Sequence, residues 1–358
     1  KDSSSTSPIV INDIDLRTYG SSITADDLFI VTEEFSVYAG VAGHSTSFAG
    51  GGGVNTLNAA AVDSNTLINL FTNSGTIDGV SITNTNINRV FTGDGNDTVI
   101  GDGLEDYVWT GRGNDSVRAS SGDQTVVGGA GNDTLLGGLG DDSLDGGDGN
   151  DTFLYENGFT FTTGETIRGG SGTDRILVDG AGTFNFDSAN FSVFSIEELE
   201  FSFVSGEDKT VIFTAQELDS TVEVPSNFRI DGNAGGADTL IVNWTGSMFS
   251  TIDFSGWIFQ DWSDSADSLQ FNLDATATNF TGTVRNDLID GGAGNDTING
   301  GDGDDTIEGG SGVDVMNGGN GDDTFLIDFG WTGGPGESID GGAGSDTFDT
   351  SLVGTINA

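Results

Sequence analysis

Aspartates recur at nine-residue steps in two runs, and that spacing is what could do chemistry in this sequence. The first run is Asp97, Asp106, Asp115, Asp133, Asp142 and Asp151, broken once by Gln124. The second is Asp287, Asp296, Asp305, Asp314 and Asp323. Glycines stand four and two residues before most of them. In the first run these are Gly93 and Gly95, Gly111 and Gly113, Gly129 and Gly131, Gly138 and Gly140, and Gly147 and Gly149. In the second they are Gly292 and Gly294, Gly301 and Gly303, Gly310 and Gly312, and Gly319 and Gly321. Carboxylates beside tight turns can offer many oxygen atoms to a hard cation. Two residues after each step comes an apolar side chain: Val99, Val108, Val117, Val126, Leu135, Leu144 and Phe153, then Ile289, Ile298, Ile307, Met316 and Phe325. The full cadence is GGxGxDxUx, with U apolar, over 92–154 and 282–326. "GGAGNDTLL" at 128–136 and "GGAGNDTIN" at 291–299 satisfy every defined position. Two residue types locked in register over twelve units mark a structural repeat.

The elements that must position the acids follow from the same cadence. Six residues of glycine and acid make a turn, because glycine tolerates left-handed backbone angles. The last three residues, with one apolar side chain inward and two outward, make one short strand. Two units then form a coil of eighteen residues with two strands and two turns. Stacking places Val99 over Val117 and Asp97 over Asp115, so the apolar positions form a narrow core and the aspartates line each edge. Successive coils lie about 4.8 Å apart. Ionised carboxylates at that spacing repel, and the first array holds 13 acids against two arginines, the second 10 against one. Calcium resolves the conflict, since it takes six to eight oxygens in flexible geometry, turn carbonyls included. Magnesium demands a tighter octahedron. Zinc lacks its ligands in a chain with no cysteine and one histidine. An EF-hand lacks its flanking helices and its glutamate at loop position twelve. The bland alternative is that these turns are solvated loops of an ordinary β-solenoid.

The units resemble the RTX (repeats-in-toxin, haemolysin-type) calcium-binding nonapeptides of secreted bacterial proteins, among them surface-layer and adhesin-like members. The resemblance covers 108 of the 358 residues and short tails after each array. It implies an all-β fold in which the arrays are right-handed parallel β-rolls or β-solenoids with β-rich segments between them. It also implies that each Ca2+ lies between turns two units apart, held by both aspartates and by turn carbonyls. On this chain the intact pairs are Asp97–Asp115, Asp115–Asp133, Asp133–Asp151, Asp287–Asp305, Asp296–Asp314 and Asp305–Asp323, giving roughly six strong sites. Gln124 falls between Asp106 and Asp142 and weakens that edge. Leu104 and Arg285 replace turn glycines and alter their turns.

A longer duplication contains the arrays. "DTFLYENGFTFTTGETIRGGSGTD" at 151–174 aligns without gaps with "DTFLIDFGWTGGPGESIDGGAGSD" at 323–346, at an offset of 172 residues. In both copies a five-residue insert follows the array, at 155–159 and 327–331, and two further units close on Asp174 and Asp346. "GTFN" at 182–185 matches "GTIN" at 354–357, so the second copy is expected to continue and the chain to be a fragment of a longer protein. The expected organisation is a disordered tail at 1–8, then a β-rich cap and β-helix-like coils at 9–91, with a flexible glycine run at 49–53. Array one with its tail spans 92–177, and a β-rich segment, further solenoid or a small sandwich, spans 178–281. Array two with its tail spans 282–349, and 350–358 begins the next segment. "TAQE" at 214–217 fits a capping box for one short helix. Val90 precedes Val99, and Phe271 and Phe280 precede Ile289, at the same nine-residue step.

The net charge of −47 disfavours nucleic acid and anionic lipid as partners. Hydrophobic residues at 34%, with 24 phenylalanines, argue for a packed core rather than an acidic disordered chain. No apolar run is long enough to span a membrane. Catalytic groups are scarce. His44 in "GHSTSF" has no nucleophile elbow. Lys1 and Lys209 follow no phosphate loop. Among 57 acids, paired carboxylates carry no signal. Trp257 and Trp262 fit core packing better than sugar stacking.

The sequence therefore reads as a non-enzymatic, calcium-stabilised structural or adhesive segment of a large secreted or cell-surface protein, as in a surface layer, adhesin or filament. The resemblance implies export by a type I system. Partners beyond calcium are self-assembly or a cell-surface polysaccharide. The alternatives are an RTX folding module of a secreted protease, lipase or epimerase, or a carbohydrate-binding module.

Overall fold

A three-residue segment centred on an apolar side chain suffices for one short strand, and a strand stands at every one of the twelve units. The computed structural model describes residues 9–11, 28–31, 46–49, 54–77, 80–103, 107–156, 164–186, 192–202, 208–214, 227–232, 236–244, 251–273, 278–327 and 337–350. The chain divides into two compact units. The first holds Lys1–Tyr155, Phe159–Ile176 and Phe194–Ile196; the second holds Glu156–Gly158, Leu177–Val193 and Glu197–Ala358. Among the described residues every element is a strand and none is a helix. Among the described residues no helix is long and apolar enough to cross a membrane.

In the first unit the two strands of each coil join two different parallel sheets. Thr98–Ile100, Ser116–Arg118, Thr134–Leu136 and Thr152–Glu156 place Val99, Val117, Leu135 and Phe153 in one column. Tyr107–Arg112, Thr125–Ala130 and Ser143–Asp148 place Val108, Val126 and Leu144 in the other. These seven side chains are at most 2% exposed and form the core. Strands of the second column run six residues, because pairing continues into the next turn, where Gly111 lies opposite Gly129. The stack reaches back before the array: Val90 lies opposite Val108, and Leu57 opposite Val90. Ile68 likewise lies opposite Val99. The departure from parallel order is the pairing of Ser74–Ile77 with Leu67–Asn69 and with Val80–Thr85.

In the second unit Ile289, Ile307 and Phe325 form one column, and Phe280, Ile298 and Met316 the other. Phe271 lies opposite Ile289, so the array does grow from coils that precede it. Those preceding coils are larger. Thr210 pairs with Thr239 and Thr239 with Ser268, a step of 29 residues. Each buries two apolar side chains per strand: Val211 with Phe213, Leu240 with Val242, and Leu269 with Phe271. The extra width is filled by rings, with Phe254 4.6 Å from Trp257, 4.7 Å from Phe271 and 5.6 Å from Phe280. The described strands between 182 and 273 are thus further parallel coils rather than a sandwich. Trp257 and Trp262 are buried, at 3% and 6% exposure, and pack as core. The tail 1–8, the run 50–53, His44, Leu104, Asp106, residues 157–159, 215–217, 328–331 and 351–358 lie outside the described residues.

Phe153 fills the core beside Leu135 with no exposed surface. Phe153→Ala should cost about 3–5 kcal/mol in denaturant unfolding at saturating calcium. The outward Ser116→Ala should change stability by less than about 0.5 kcal/mol. Equal effects at the two positions would contradict the inward and outward assignment.

Candidate metal centre

Stacking turns the recurrent aspartates into continuous ladders. The backbone N–H of each rung donates to the carboxylate one coil later. Asp97 N donates to Asp115 Oδ1 at 2.7 Å; Asp115 N to Asp133, Asp133 N to Asp151 and Asp151 N to Asp174 each do so at 2.8 Å. In the second unit Asp287 N reaches Asp305 Oδ1, Asp305 N reaches Asp323 and Asp296 N reaches Asp314, all at 2.9 Å. Asp323 N reaches Asp346 at 3.1 Å. All six pairs expected from the spacing are therefore adjacent rungs, and Asp174 and Asp346 extend them. The 23-residue step to the last rung absorbs the five-residue insert in both copies. Asp142 accepts from Gln124 N at 2.8 Å on the other edge of array one.

These carboxylates are buried, and each uses one oxygen for the ladder. The second oxygen of Asp97, Asp115, Asp133, Asp142, Asp151, Asp305 and Asp323 is buried with no hydrogen-bond partner. A buried, unbonded carboxylate oxygen is costly unless a cation or donor meets it. Those of Asp133, Asp142, Asp151, Asp305 and Asp323 point beside the first glycine of their own units. Before Asp97 and Asp115 that position is Thr92 and Thr110, whose hydroxyls donate to Thr110 O at 2.8 Å and Gly128 O at 2.7 Å. A methyl group on Gly128 would collide with Asp133 Oδ2 and lie 2.8 Å from Gly146 O; on Gly300 it would collide with Asp305 Oδ2 and lie 2.6 Å from Gly318 O. A carboxylate oxygen and the carbonyl of the next coil thus converge on one small cradle. Among the described residues no group of three or more acidic or histidine side chains is placed to hold a metal ion by itself. The donor set is mixed carboxylate and carbonyl, all oxygen, which suits calcium.

The turn glycines have two separate reasons to be glycine. At Gly131 φ is +134°, and at Gly129 +118°. Every expected turn glycine has a positive φ except Gly93, where a side chain would collide with Val62 O. Arg285 stands at one such position without a positive φ. Its guanidinium bonds Asp264 Oδ2 at 3.3 Å and lies over the Phe259 ring. In that altered turn Thr283 donates to both oxygens of Asp287, through N at 2.6 Å and Oγ1 at 2.9 Å.

Several functional positions escaped the nine-residue reading. Residues just before the ladder aspartates form a second, outer ladder. Asn114 N donates to Asn96 Oδ1, Asn132 N to Asn114, and Asn150 N to Asn132, at 2.8–2.9 Å. Asp304 N donates to Asn286 Oδ1 and Asp322 N to Asp304, both at 2.8 Å. The recurrent "GND" and "GDD" strings carry that signal. Glu165 takes the rung after Asp142, accepting from Asp142 N at 3.1 Å and from the Tyr155 hydroxyl at 2.9 Å. The offset of 172 residues places Glu337 at the matching position of the second copy.

Burial raises the carboxyls of Asp97, Asp115, Asp133, Asp142, Asp151, Asp287, Asp305 and Asp323 above their usual range. Asp97 and Asp142 stand at about 6 and Asp133 at about 7, mainly through loss of hydration. Asp305 reaches about 9, through burial and then the charge of Asp287. Glu165 reaches about 8 by burial and then the charge of Asp142. Folding of the metal-free chain therefore takes up protons. Its stability is greatest below about pH 4 and is lost as pH rises towards about 7 at Asp133 and about 9 at Asp305. Calcium displaces those protons, so affinity should rise across the same window. Calorimetric titration in buffers of different ionisation enthalpy should show net proton release at about pH 6, fading above about pH 9. No proton release at about pH 6 would contradict the ladder as ligand.

The family described as RTX calcium-binding nonapeptide repeat (4 copies) matches residues 82–117, 118–153, 281–316, 290–325 and 336–352. The matches begin ten residues before the first array and reach into the tail of the second. Among curated proteins no sequence matches the chain. Over the matched residues the chain carries RTX-type calcium-binding repeats, set on parallel coils with buried aspartate ladders.

Proposed function

We propose that this chain is a calcium-folded, non-enzymatic segment of a large protein exported from a bacterial cell, serving outside it as a structural or adhesive element of a surface layer, adhesin or filament. The observation that carries the reading is the column of buried carboxylates, those of Asp133, Asp142, Asp151, Asp305 and Asp323 with one oxygen aimed into a cradle beside a glycine. Bound calcium supplies two positive charges and accepts six to eight oxygens. Asp97, Asp115, Asp133 and Asp151, with Asp296, Asp305, Asp314 and Asp323, would hold it together with turn carbonyls. These residues make five of the six pairs expected from the spacing; in the sixth, both oxygens of Asp287 accept from Thr283.

Everything else is done by the chain's own groups. Without a cation, ionised rungs repel and the turns cannot close in register. Where calcium is plentiful the rungs are neutralised and the apolar columns stack. A ligand binding only the folded form stabilises it by about 2.7 kcal/mol per site at a hundredfold excess over Kd. Several such sites exceed the whole stability of a small domain. That arithmetic suits a protein that must stay unfolded during type I export and fold outside. The charge of −47 supports partners that tolerate a polyanion, such as further copies joined through calcium or a neutral surface polysaccharide.

Circular dichroism in excess chelator should lose most of the β signal, and calcium readdition should restore it. An unchanged spectrum and melting temperature would overturn the reading. Asp133→Asn removes a carboxylate shared by two pairs. It should raise the calcium midpoint of folding about tenfold, equivalent to about 1.4 kcal/mol. Asp94→Asn, exposed and off the ladder, should leave the midpoint unchanged.

A further inference from the structure

Among the described residues four ladder positions carry no acid: Thr66 N donates to Asp97 Oδ1 at 2.6 Å and Thr278 N to Asp296 Oδ1 at 2.8 Å, and the other two are Gln124 and Lys209. Gln124 N donates to Asp142 Oδ1 as any rung does, but its own amide Nε2 donates to Ser121 O at 3.0 Å, a carbonyl of the same turn. Lys209 belongs to the 29-residue coils. Lys209 N donates to Asp238 Oδ1 at 3.1 Å, and Asp238 N to Asp267 Oδ1 at 2.9 Å, so Lys209, Asp238 and Asp267 form a ladder of the same kind. Lys209 has no exposed surface. Its ammonium donates to Ser202 O at 3.2 Å. Ser202 directly follows the strand Glu198–Phe201, as Gly137 directly follows Thr134–Leu136.

A turn carbonyl buried away from water needs a cation or a hydrogen-bond donor. At Asp133 and Asp305 the chain brings a carboxylate oxygen to a carbonyl of the next coil, Gly146 O and Gly318 O, and the two together require a positive charge. At Gln124 and Lys209 the side chain instead brings N–H to a carbonyl that precedes it in the chain, Ser121 O and Ser202 O. We propose that the side-chain nitrogens of Lys209 and Gln124 take the place of calcium at their rungs. The Gln124 rung of array one and the Lys209 rung of the 29-residue coils then close without metal. The inference rests on the calcium reading above and adds which rungs lie outside it.

Native mass spectrometry of the whole chain in calcium, counting bound ions, tests it. Gln124→Glu keeps the side chain's size, removes the donor and restores a carboxylate; Glu165 already serves as a rung. Gln124→Glu should bind at least one more ion than the wild type. Gln124→Asp, the residue of the other rungs, carries the same expectation should the first variant fold poorly. A count equal to the wild type in a folded variant would overturn the assignment of Gln124. Lys209→Met keeps the buried stem and loses the ammonium. It should leave the ion count unchanged and lower the melting temperature measured in excess chelator. An unchanged melting temperature in chelator would overturn the assignment of Lys209. A wild type that binds no calcium would instead overturn the calcium reading itself.

Discussion

Like charges stacked at the spacing of a β-sheet are the constraint on which this structure turns. Two unit charges about 4.8 Å apart repel by about 3.5 kcal/mol at an effective dielectric of about 20. Asp97, Asp115, Asp133, Asp151 and Asp174 form such a column, buried against a core only one apolar side chain wide per strand. Fully burying one valine or leucine contributes about 1.5–3 kcal/mol. The repulsion of a rung is therefore as large as the burial that would oppose it. The coils cannot hold the ladder by packing alone, and the raised pKa of Asp133 and Asp305 is the same conflict seen from the proton's side.

The turns are built around that conflict. Asp133 N donates forward to Asp151, while Asn132 N donates backward to Asn114. Two successive amides of one turn are thus held by neighbours on opposite sides. This fixes the ladder carboxylate by one oxygen and leaves the other aimed at the first glycine. Glycine is required there for space and at the next positions for backbone angle. Calcium is asked only to join oxygens that the backbone has already arranged.

Much of this was legible in the sequence because an eighteen-residue coil brings the same two positions of every second unit together. The columns Val99–Val117 and Asp97–Asp115 and the extension through Phe271 and Phe280 follow from counting. What counting missed has physical causes. The outer ladder of Asn96, Asn114 and Asn132 reads as generic turn composition, since asparagine favours turns in any protein. Glu165 is displaced by the insert and is a different acid, so the nine-residue frame does not reach it. The 29-residue coils have no glycine cadence; their period appears only when Val211, Leu240 and Leu269 are seen paired. Gln124 was visible as a break, but the bond from its amide to Ser121 O depends on side-chain geometry that no spacing encodes.

A crystal structure of the calcium-loaded chain, with ions located by their anomalous scattering, tests the central claim most directly. The account predicts ions in the cradles beside Gly128, Gly146, Gly300 and Gly318, touching Asp133, Asp151, Asp305 and Asp323 through Oδ2. Ions confined to the outer row of Asn132 and Asp304, or ladders folded with those cradles free of metal, would contradict it.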